Sequence, residues 1–169
     1  MSLVLNGRTV NLALPVNGAT VVNLRVLGTR FDATLYRAGL LSATASVPAA
    51  LITADSDRDG LPNLLDYALG GSLSAPNAAP APEWVDGQLR LTFTRDPRVP
   101  DVTLQVEASS ALDKGSWTVV AENSRGTGWT GSAQVSETAT GDVNRKQVTV
   151  TDPGSGPRRF LRLKAVYQP

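Results

Sequence analysis

The acidic residues of this chain are unevenly distributed, and the segment DSDRDGLPNLLDYALGG at residues 55–71 holds four of the 15. Asp55, Asp57 and Asp59 alternate with other residues, Gly60 follows at once, and Asp66 comes shortly afterwards. Carboxylates placed so closely repel one another unless a cation lies among them. The spacing therefore predicts a binding site for a hard metal ion.

The same spacing matches the D-x-D-x-D-G-x5-[DE] pattern of calcium-binding loops, in which side-chain and backbone oxygens surround the ion and a glycine makes the sharp turn. The predicted calcium ligands are Asp55, Asp57, Asp59, the carbonyl of Leu61, Asn63 and Asp66. Magnesium suits this loop less well, because a small octahedral ion does not need so many flexible protein oxygens. The alternative interpretation is a solvated acidic turn that caps a short helix.

A short helix is predicted directly after the loop, in the sequence PNLLDYAL. Pro62 suits its first turn and Gly70 suits its end, because proline presets a helical backbone and glycine tolerates the left-handed conformation that stops a helix. The helix would bring Asp66 back toward the loop. The residues predicted to face the core are Leu64, Leu65 and Leu69.

Composition excludes several kinds of site. The 169 residues include no histidine and no cysteine, so an imidazole base, a thiolate nucleophile and the usual zinc ligands are all missing. A net charge of +1 without a basic run argues against a nucleic-acid or membrane-surface binder. No apolar run reaches the roughly 18 residues of a membrane span, and a leader is either lacking or already removed. We therefore expect a protein that is not an enzyme.

Period-two alternation of apolar residues dominates the chain and predicts an all-β fold, with antiparallel β-sandwich parts of immunoglobulin-like or jelly-roll-like type joined by the calcium loop and one short helix. Residues 1–50 are interpreted as a meander of four strands, the last of them carrying Phe31, Ala33 and Leu35. Residues 51–82 hold the loop, the helix and a Pro/Ala-rich linker without a core-forming pattern. Residues 83–169 form the predicted C-terminal sandwich.

Seven strands are predicted in that C-terminal part. They are a hairpin of Trp84-Val85 with residues 88–94 around the turn Asp86-Gly87, and strands at residues 102–108, 117–121, 134–138, 147–151 and 159–167. Trp84 and Trp117 are expected in the core. Parallel α/β architecture is disfavoured, because no crossover helices are present to join parallel strands.

The acidic segment resembles the calcium loops of thrombospondin type 3 repeats and dockerins, and especially the segment DSDGDGLPDLLEYALG of large bacterial surface and secreted proteins. In many of those proteins a β-rich C-terminal module follows, with a SxxLxxWT stretch and an ending like RRFLRLKV. This chain has SSALDKGSWTVV from Ser109 and PRRFLRLKAV from Pro157, so the resemblance covers roughly residues 53–169.

The resemblance implies an extracellular or cell-surface setting and calcium-ligand roles for Asp55, Asp57, Asp59, Asn63 and Asp66. The chain departs from the pattern in two ways. Asp66 stands where glutamate is usual, so a shorter arm must reach the ion. The loop is also single, whereas dockerins carry a pair, and binding to cohesin is therefore not implied.

Other residues have a structural and a functional interpretation. Trp129, in GTGWTGS, could stack on a sugar ring, although covering a sheet edge is the commoner role of such a tryptophan. A basic face for a polyanion could be formed by Arg95, Arg98, Arg158, Arg159 and Arg162, although solvated strand faces explain these arginines. Paired catalytic carboxylates could be formed by Asp96, Asp101 and Glu107, although loop and strand positions without a supporting motif explain these acids.

Two functions remain open. The first is a calcium-stabilised structural protein of an extracellular assembly or filament. In that case the N-terminal strands would add to the sheet of a second copy, with Val10, Leu12 and Leu14 filling alternate pockets. The second is a calcium-dependent carbohydrate-binding or adhesive sandwich module, whose partner would be a glycan.

Overall fold

The structure is a computed structural model that describes residues 2–5, 8–11, 29–42, 47–154, 156 and 158–169. Eight of its strands form two antiparallel four-stranded sheets. They are β3 (Pro82–Val85), β4 (Gln88–Arg95), β5 (Val102–Ser109), β6 (Thr118–Ser124), β7 (Trp129–Gly131), β8 (Gln134–Ala139), β9 (Lys146–Thr151) and β10 (Phe160–Tyr167). One sheet has the order β10-β5-β6-β7 and the other has the order β3-β4-β9-β8. The predicted all-β sandwich is confirmed.

Alternation along the strands places the core between the two sheets. On β4, Leu91 and Phe93 are buried and pair across the sheet with Val150 and Val148 of β9, which are completely buried. On β5 the alternate residue Val106 is also completely buried, and all five side chains belong to one core. Burying a side chain of this size contributes roughly 1.5–3 kcal/mol. The sandwich therefore has its own hydrophobic core.

Strand β7 was not predicted. It is only three residues long, and Gly128 and Gly131 next to Trp129 have φ angles of 135° and 124°. Glycines in such conformations are typical of turns, so the sequence GTGWTGS indicated a loop. The short strand nevertheless pairs with β6 and forms the edge of its sheet.

The predicted fourth N-terminal strand is wrong, because its residues form helix α1 (Arg30–Arg37). Thr29 and Asp32 form a capping box, in which each side chain accepts a hydrogen bond from the backbone N–H of the other residue. Phe31 and Leu35 lie four positions apart and are both completely buried, which is helical spacing. The alternation of Phe31, Ala33 and Leu35 was thus a coincidence of apolar residues.

Two further helices frame the acidic loop, where one short helix had been predicted. Helix α2 (Ala49–Thr53) precedes the loop. Helix α3 (Asn63–Leu69) follows it and is buried along its whole length. Pro62 lies at the N-cap of α3 and Gly70 ends the helix with a left-handed φ of 73°, as predicted.

Near the N-terminus, β1 (Ser2–Leu5) and β2 (Arg8–Asn11) pair antiparallel, which is a hairpin where one was predicted. The rest of the predicted meander before residue 29, including Leu12 and Leu14, lies outside the described residues. Among the described helices, none has the length and apolar character needed to cross a membrane.

The predicted linker is partly wrong. Residues 71–81 contain neither helix nor strand, in agreement with the Pro/Ala-rich composition. Leu73, however, is only 5% exposed and packs in the core, so the segment is anchored to the sandwich. A single leucine among alanines, serines and prolines has no periodicity by which sequence could reveal its burial.

Candidate metal centre

The acidic loop connects α2 to α3 and turns sharply twice. Arg58 has a φ of 65° and Gly60 a φ of 91°, both in the left-handed region. The backbone N–H of Asn63 donates to the carbonyl of Ala54 at 2.7 Å, which closes the loop at its base. The chain is thereby folded around the carboxylates that the sequence had singled out.

Three of these carboxylates converge. Asp55, Asp57 and Asp59 each offer one oxygen, and these oxygens lie within 4.8 Å of one another. The Asp55 carboxylate also accepts hydrogen bonds from the backbone N–H groups of Asp59, at 3.1 Å, and Gly60, at 2.9 Å. Those bonds fix the loop so that the three side chains share one small volume.

The unpartnered oxygens are the most informative feature of this cluster. Both carboxylate oxygens of Asp57 and Oδ2 of Asp66 are shielded from solvent and have no hydrogen-bond partner among the residues that the structure describes. Asp66 is completely buried, and so is the helix α3 to which it belongs. A buried carboxylate oxygen without a donor or a cation is energetically costly. These oxygens therefore have the free acceptor capacity that a metal ion requires.

Electrostatics distinguish the carboxylates of the loop. Burial, followed by the negative charges of Asp59 and Asp57, raises the pKa of Asp66 to about 7. Burial and the charge of Asp59 likewise raise the pKa of Asp57. Burial alone would raise the pKa of Asp59 as well, but hydrogen bonds from the backbones of Asn77 and Leu61 outweigh that effect and lower it. The cluster thus holds more negative charge than the protein around it compensates.

Asn63 is placed differently from the aspartates. Its side-chain oxygen accepts from the backbone N–H of Ser56 at 3.2 Å, and its amide nitrogen donates to the carbonyl of Leu51 at 3.0 Å. Asn63 is completely buried and fastens the loop to the end of α2. Its role as a ligand, like that of the Leu61 carbonyl, stays a prediction.

Sequence reasoning missed Asn77, which lies in the supposed linker. Its backbone N–H donates to Oδ2 of Asp59 at 2.6 Å, and its side-chain amide donates to Oδ1 of Asp66 at 3.0 Å. An asparagine after a proline indicates a turn and no more. The contact joins positions 18 and 11 residues apart, and no local spacing rule could have found it.

The donor set fits calcium. Two oxygens that each lie about 2.4 Å from one ion are at most about 4.8 Å apart. The three aspartates of the loop meet that limit. Carboxylate and carbonyl oxygens are the ligands that calcium prefers, and the added positive charge would neutralise the oxygens that lack partners.

The other candidate residues have structural roles. Four of the five arginines are paired with carboxylates: Arg95 with Glu137 (2.8 Å), Arg98 with Asp96 (2.8 Å), Arg159 with Asp152 (2.6 Å) and Arg162 with Glu107 (2.6 Å). Asp101 accepts hydrogen bonds from the Tyr67 hydroxyl at 2.8 Å and the Phe31 backbone N–H at 2.7 Å, and so ties α3 and α1 to the sandwich.

Two of the three tryptophans differ from expectation. Trp129 is half-buried, contacts Phe93 edge-on with ring centroids 6.0 Å apart, and donates its indole N–H to Glu137 at 3.0 Å. Trp117 is only half-buried, so its predicted place in the core is wrong; it lies beneath the guanidinium of Arg162, 4.1 Å from its ring centroid. Trp84 is 57% exposed, so its predicted place in the core is wrong. It lies on β3, which is an edge strand and offers no second neighbour to cover it.

Comparison with known proteins gave no match, whether with protein-family models, with curated proteins or with solved structures.

Proposed function

We propose that this chain is a calcium-stabilised structural protein of an extracellular or cell-surface assembly. Calcium would be bound by Asp55, Asp57, Asp59 and Asp66, with further oxygens from Leu61 and Asn63. The observation that carries the proposal is the set of shielded oxygens of Asp57 and Asp66, which have no partner in the described part of the chain. The ion supplies positive charge where four carboxylates repel one another, and its role here is structural rather than catalytic.

The position of the loop explains what calcium would stabilise. All the proposed ligands come from one contiguous segment between α2 and α3, and α3 packs against β10 and β4 of the sandwich. The ion therefore cannot clamp distant strands together. It would hold α2 and α3 in a fixed relation and so stiffen the connection between the N-terminal part of the chain and the sandwich.

The test is the thermal stability of the full chain in chelator and in millimolar calcium. A single loop closed by aspartate should have a dissociation constant of roughly 0.1–1 mM, as in extracellular modules. Calcium at about ten times that constant then adds about 1.4 kcal/mol to the free energy of unfolding. Asp57→Ala should abolish the gain, whereas Asp113→Ala, on an exposed turn outside the loop, should keep it. A wild-type melting temperature that ignores calcium would refute the proposal.

Hydrogen exchange locates the effect. Removing calcium should accelerate exchange at residues 50–75 more than in the strands of the sandwich, because the sandwich has a core of its own. Equal acceleration across β5 and β9 would instead mean that the ion supports the whole fold.

Assembly is the second part of the proposal. The β1–β2 hairpin forms a two-stranded sheet of its own. Such hairpins are marginally stable in water unless another surface supports them. A second copy of the chain could supply that surface by accepting one strand at a sheet edge, which would generate a filament if the contact does not close into a ring.

Light scattering and electron microscopy in calcium test assembly directly. Val10→Asp puts a charge on the predicted apolar face of the strand, and a deletion of residues 1–14 removes the hairpin. Both variants should remain monomeric and keep the melting transition of the sandwich, whereas the wild type should assemble. A wild type that stays monomeric at high concentration contradicts assembly without affecting the calcium site.

Carbohydrate binding is the second candidate, and the exposed indole of Trp84 is the observation that favours it. An indole face on a sheet edge can stack on a sugar ring. Trp129 supports this function less, because it is half-buried and its N–H already donates to Glu137. A glycan array with the wild type and Trp84→Ala distinguishes this candidate, since only binding that the substitution removes would support it.

A further inference from the structure

Asn77 is joined to two of the proposed calcium ligands at once. It donates its backbone N–H to Oδ2 of Asp59 and its side-chain amide to Oδ1 of Asp66. Asn77 lies in residues 72–80, which contain no helix or strand and which we call the strap. One residue thus connects the strap to the middle and to the closing residue of the acidic loop.

The orientation of the Asn77 amide is fixed by the strap itself. Its oxygen accepts from the backbone N–H of Ser72 at 3.2 Å, and its nitrogen donates to the carbonyl of Ser72 at 2.9 Å as well as to Asp66. These three bonds use the oxygen as an acceptor and the nitrogen as a donor, so the reversed amide would lose them all.

Gly71 leaves the space in which this amide lies. A Cβ atom at position 71 would be 2.6 Å from the side-chain oxygen of Asn77 and 2.8 Å from its nitrogen. Both distances are shorter than van der Waals contact. Any larger residue at position 71 must therefore push the Asn77 side chain away from Asp66.

The hydrogen bond from Asn77 orients the carboxylate of Asp66. Asn77 holds Oδ1, whereas Oδ2 of the same buried carboxylate has no partner among the residues described, and the charges of Asp59, Asp57 and Asp55 act on the group. A carboxylate with one oxygen fixed has little rotational freedom for the other. Hydrogen bonds of this kind to ligating carboxylates raise metal affinity, and their loss typically weakens binding about 10–100-fold.

We propose that Asn77 is the positioning residue of the calcium site, which it serves by fixing the carboxylates of Asp59 and Asp66, and that through it calcium fastens the strap to the loop. The inference rests on the proposed calcium function. Because Asn77 links the two, an ion bound by the loop restrains the strap, and an intact strap strengthens binding of the ion.

Calcium titration by calorimetry of the full chain, freed of metal with chelator, tests the affinity. Asn77→Ala should weaken binding about 10–100-fold. Ser74→Ala is the matched control, because Ser74 is exposed in the same strap and its recorded hydrogen bonds go to Ser72, not to the acidic residues. Its affinity should stay within about two-fold of wild type. Unchanged affinity in Asn77→Ala overturns the inference, whereas a wild type that binds no calcium overturns the proposed function itself.

Gly71→Ala provides an independent route to the same displacement. If Asn77→Ala fails to fold, this single variant tests the inference alone, and an unchanged affinity would contradict it; where Asn77→Ala folds, the two substitutions are combined. Gly71→Ala should weaken binding in the wild-type background but change it less than about two-fold in the Asn77→Ala background, where the colliding amide is gone. An equal loss in both backgrounds would mean that Gly71 acts without Asn77 and would contradict the inference.

Hydrogen exchange separates positioning from a merely structural role. Calcium should slow exchange in residues 72–80 of the wild type, and this protection should be lost in Asn77→Ala at calcium concentrations that still saturate the variant. Protection that is the same in both proteins would show that the strap does not depend on Asn77, against the inference.

Discussion

Asp152 and Asp66 are both completely buried carboxylates. The charge beside Asp152 is positive, whereas the charges that act on Asp66 are negative. Asp152 accepts two hydrogen bonds from the guanidinium of Arg159, each at 2.6 Å, and a third from the backbone N–H of Gly154 at 3.0 Å. Within the described ranges, Asp66 accepts one side-chain hydrogen bond, from Asn77, and its other oxygen has no partner.

Because their neighbours differ in this way, the pKa values of Asp152 and Asp66 shift in opposite directions. Burial raises the pKa of both carboxyl groups. At Asp152 the hydrogen bonds from Arg159 and Gly154 outweigh burial and lower the pKa. At Asp66 the charges of Asp59 and Asp57 add to the effect of burial and raise the pKa to about 7. Burial alone therefore does not decide whether a carboxylate is stable in its charged form; the neighbouring charge does.

The sandwich supplies its own counterions, and the loop does not. Several buried or partly buried acids of the sandwich have arginine partners, among them Glu137 and Glu107. The acidic loop has several carboxylates close together, and among the described residues their hydrogen bonds come from neutral backbone N–H groups and the Asn77 amide. A cation from solution would give the carboxylates of the loop the positive partner that arginines give to those of the sandwich.

The largest effect should follow from breaking the Asp152 pair. Arg159→Ala leaves Asp152 buried without a counterion and should lower the free energy of unfolding by about 3 kcal/mol, equally in chelator and in calcium. Urea denaturation measures it. Arg158→Ala, at an exposed neighbouring position, should change stability by less than about 0.5 kcal/mol. A loss that calcium reverses would contradict the independence of the two regions.

A smaller effect should appear in acid at Asp96, which is a second arginine-paired carboxylate of the sandwich. Burial would raise the pKa of Asp96, but hydrogen bonds from the side chain and backbone of Arg98, with the charge of Arg30, lower it to about 2. The folded protein therefore binds this proton less readily than the unfolded chain. The stabilisation is fully present above about pH 4 and is lost as the pH falls toward 2.

Asp96→Asn removes that contribution. The variant should be less stable than wild type by about 1–2 kcal/mol at pH 6, a moderate value because Arg98 is about half exposed. The difference should shrink as the pH approaches 2. Urea denaturation from pH 6 to pH 2 provides the measurement, and a difference that stays constant across this range would show that the ion pair does not account for it.

The sequence predicted those parts of the molecule whose structure is determined by neighbouring residues in the chain. Alternation located β4, β5 and β9, because each has one face in the core. Pro62 and Gly70 located α3 for reasons of backbone geometry. The spacing of the aspartates predicted that Asp55, Asp57 and Asp59 would converge, and they do.

What the sequence could not predict depends on contacts between distant residues. In helix α1 the apolar residues Phe31, Ala33 and Leu35 alternate as they would in a strand. The helix is fixed in part by the hydrogen bond from the Phe31 backbone N–H to Asp101, 70 positions away. Asn77 meets Asp66 only because the strap folds back over α3. Trp84 is exposed because β3 is an edge strand, and sheet order cannot be read from alternation.

The smallest predicted effect compares the two buried aspartates most directly. Replacing aspartate by asparagine should stabilise the protein in chelator at position 66 and destabilise it at position 152. Asp66→Asn keeps an oxygen for the bond from Asn77 and places an N–H₂ group where Oδ2 has no partner among the described residues, within the influence of the negative charges of Asp59 and Asp57. In chelator this variant should be more stable than wild type by about 1 kcal/mol, and calcium should add nothing further. Asp152→Asn places the same amide against the donors of Arg159 and should destabilise the protein. Urea midpoints in chelator compare the two directly. If both substitutions destabilise the protein without calcium, Asp66 is adequately compensated by the protein alone, and the loop has no need of a cation.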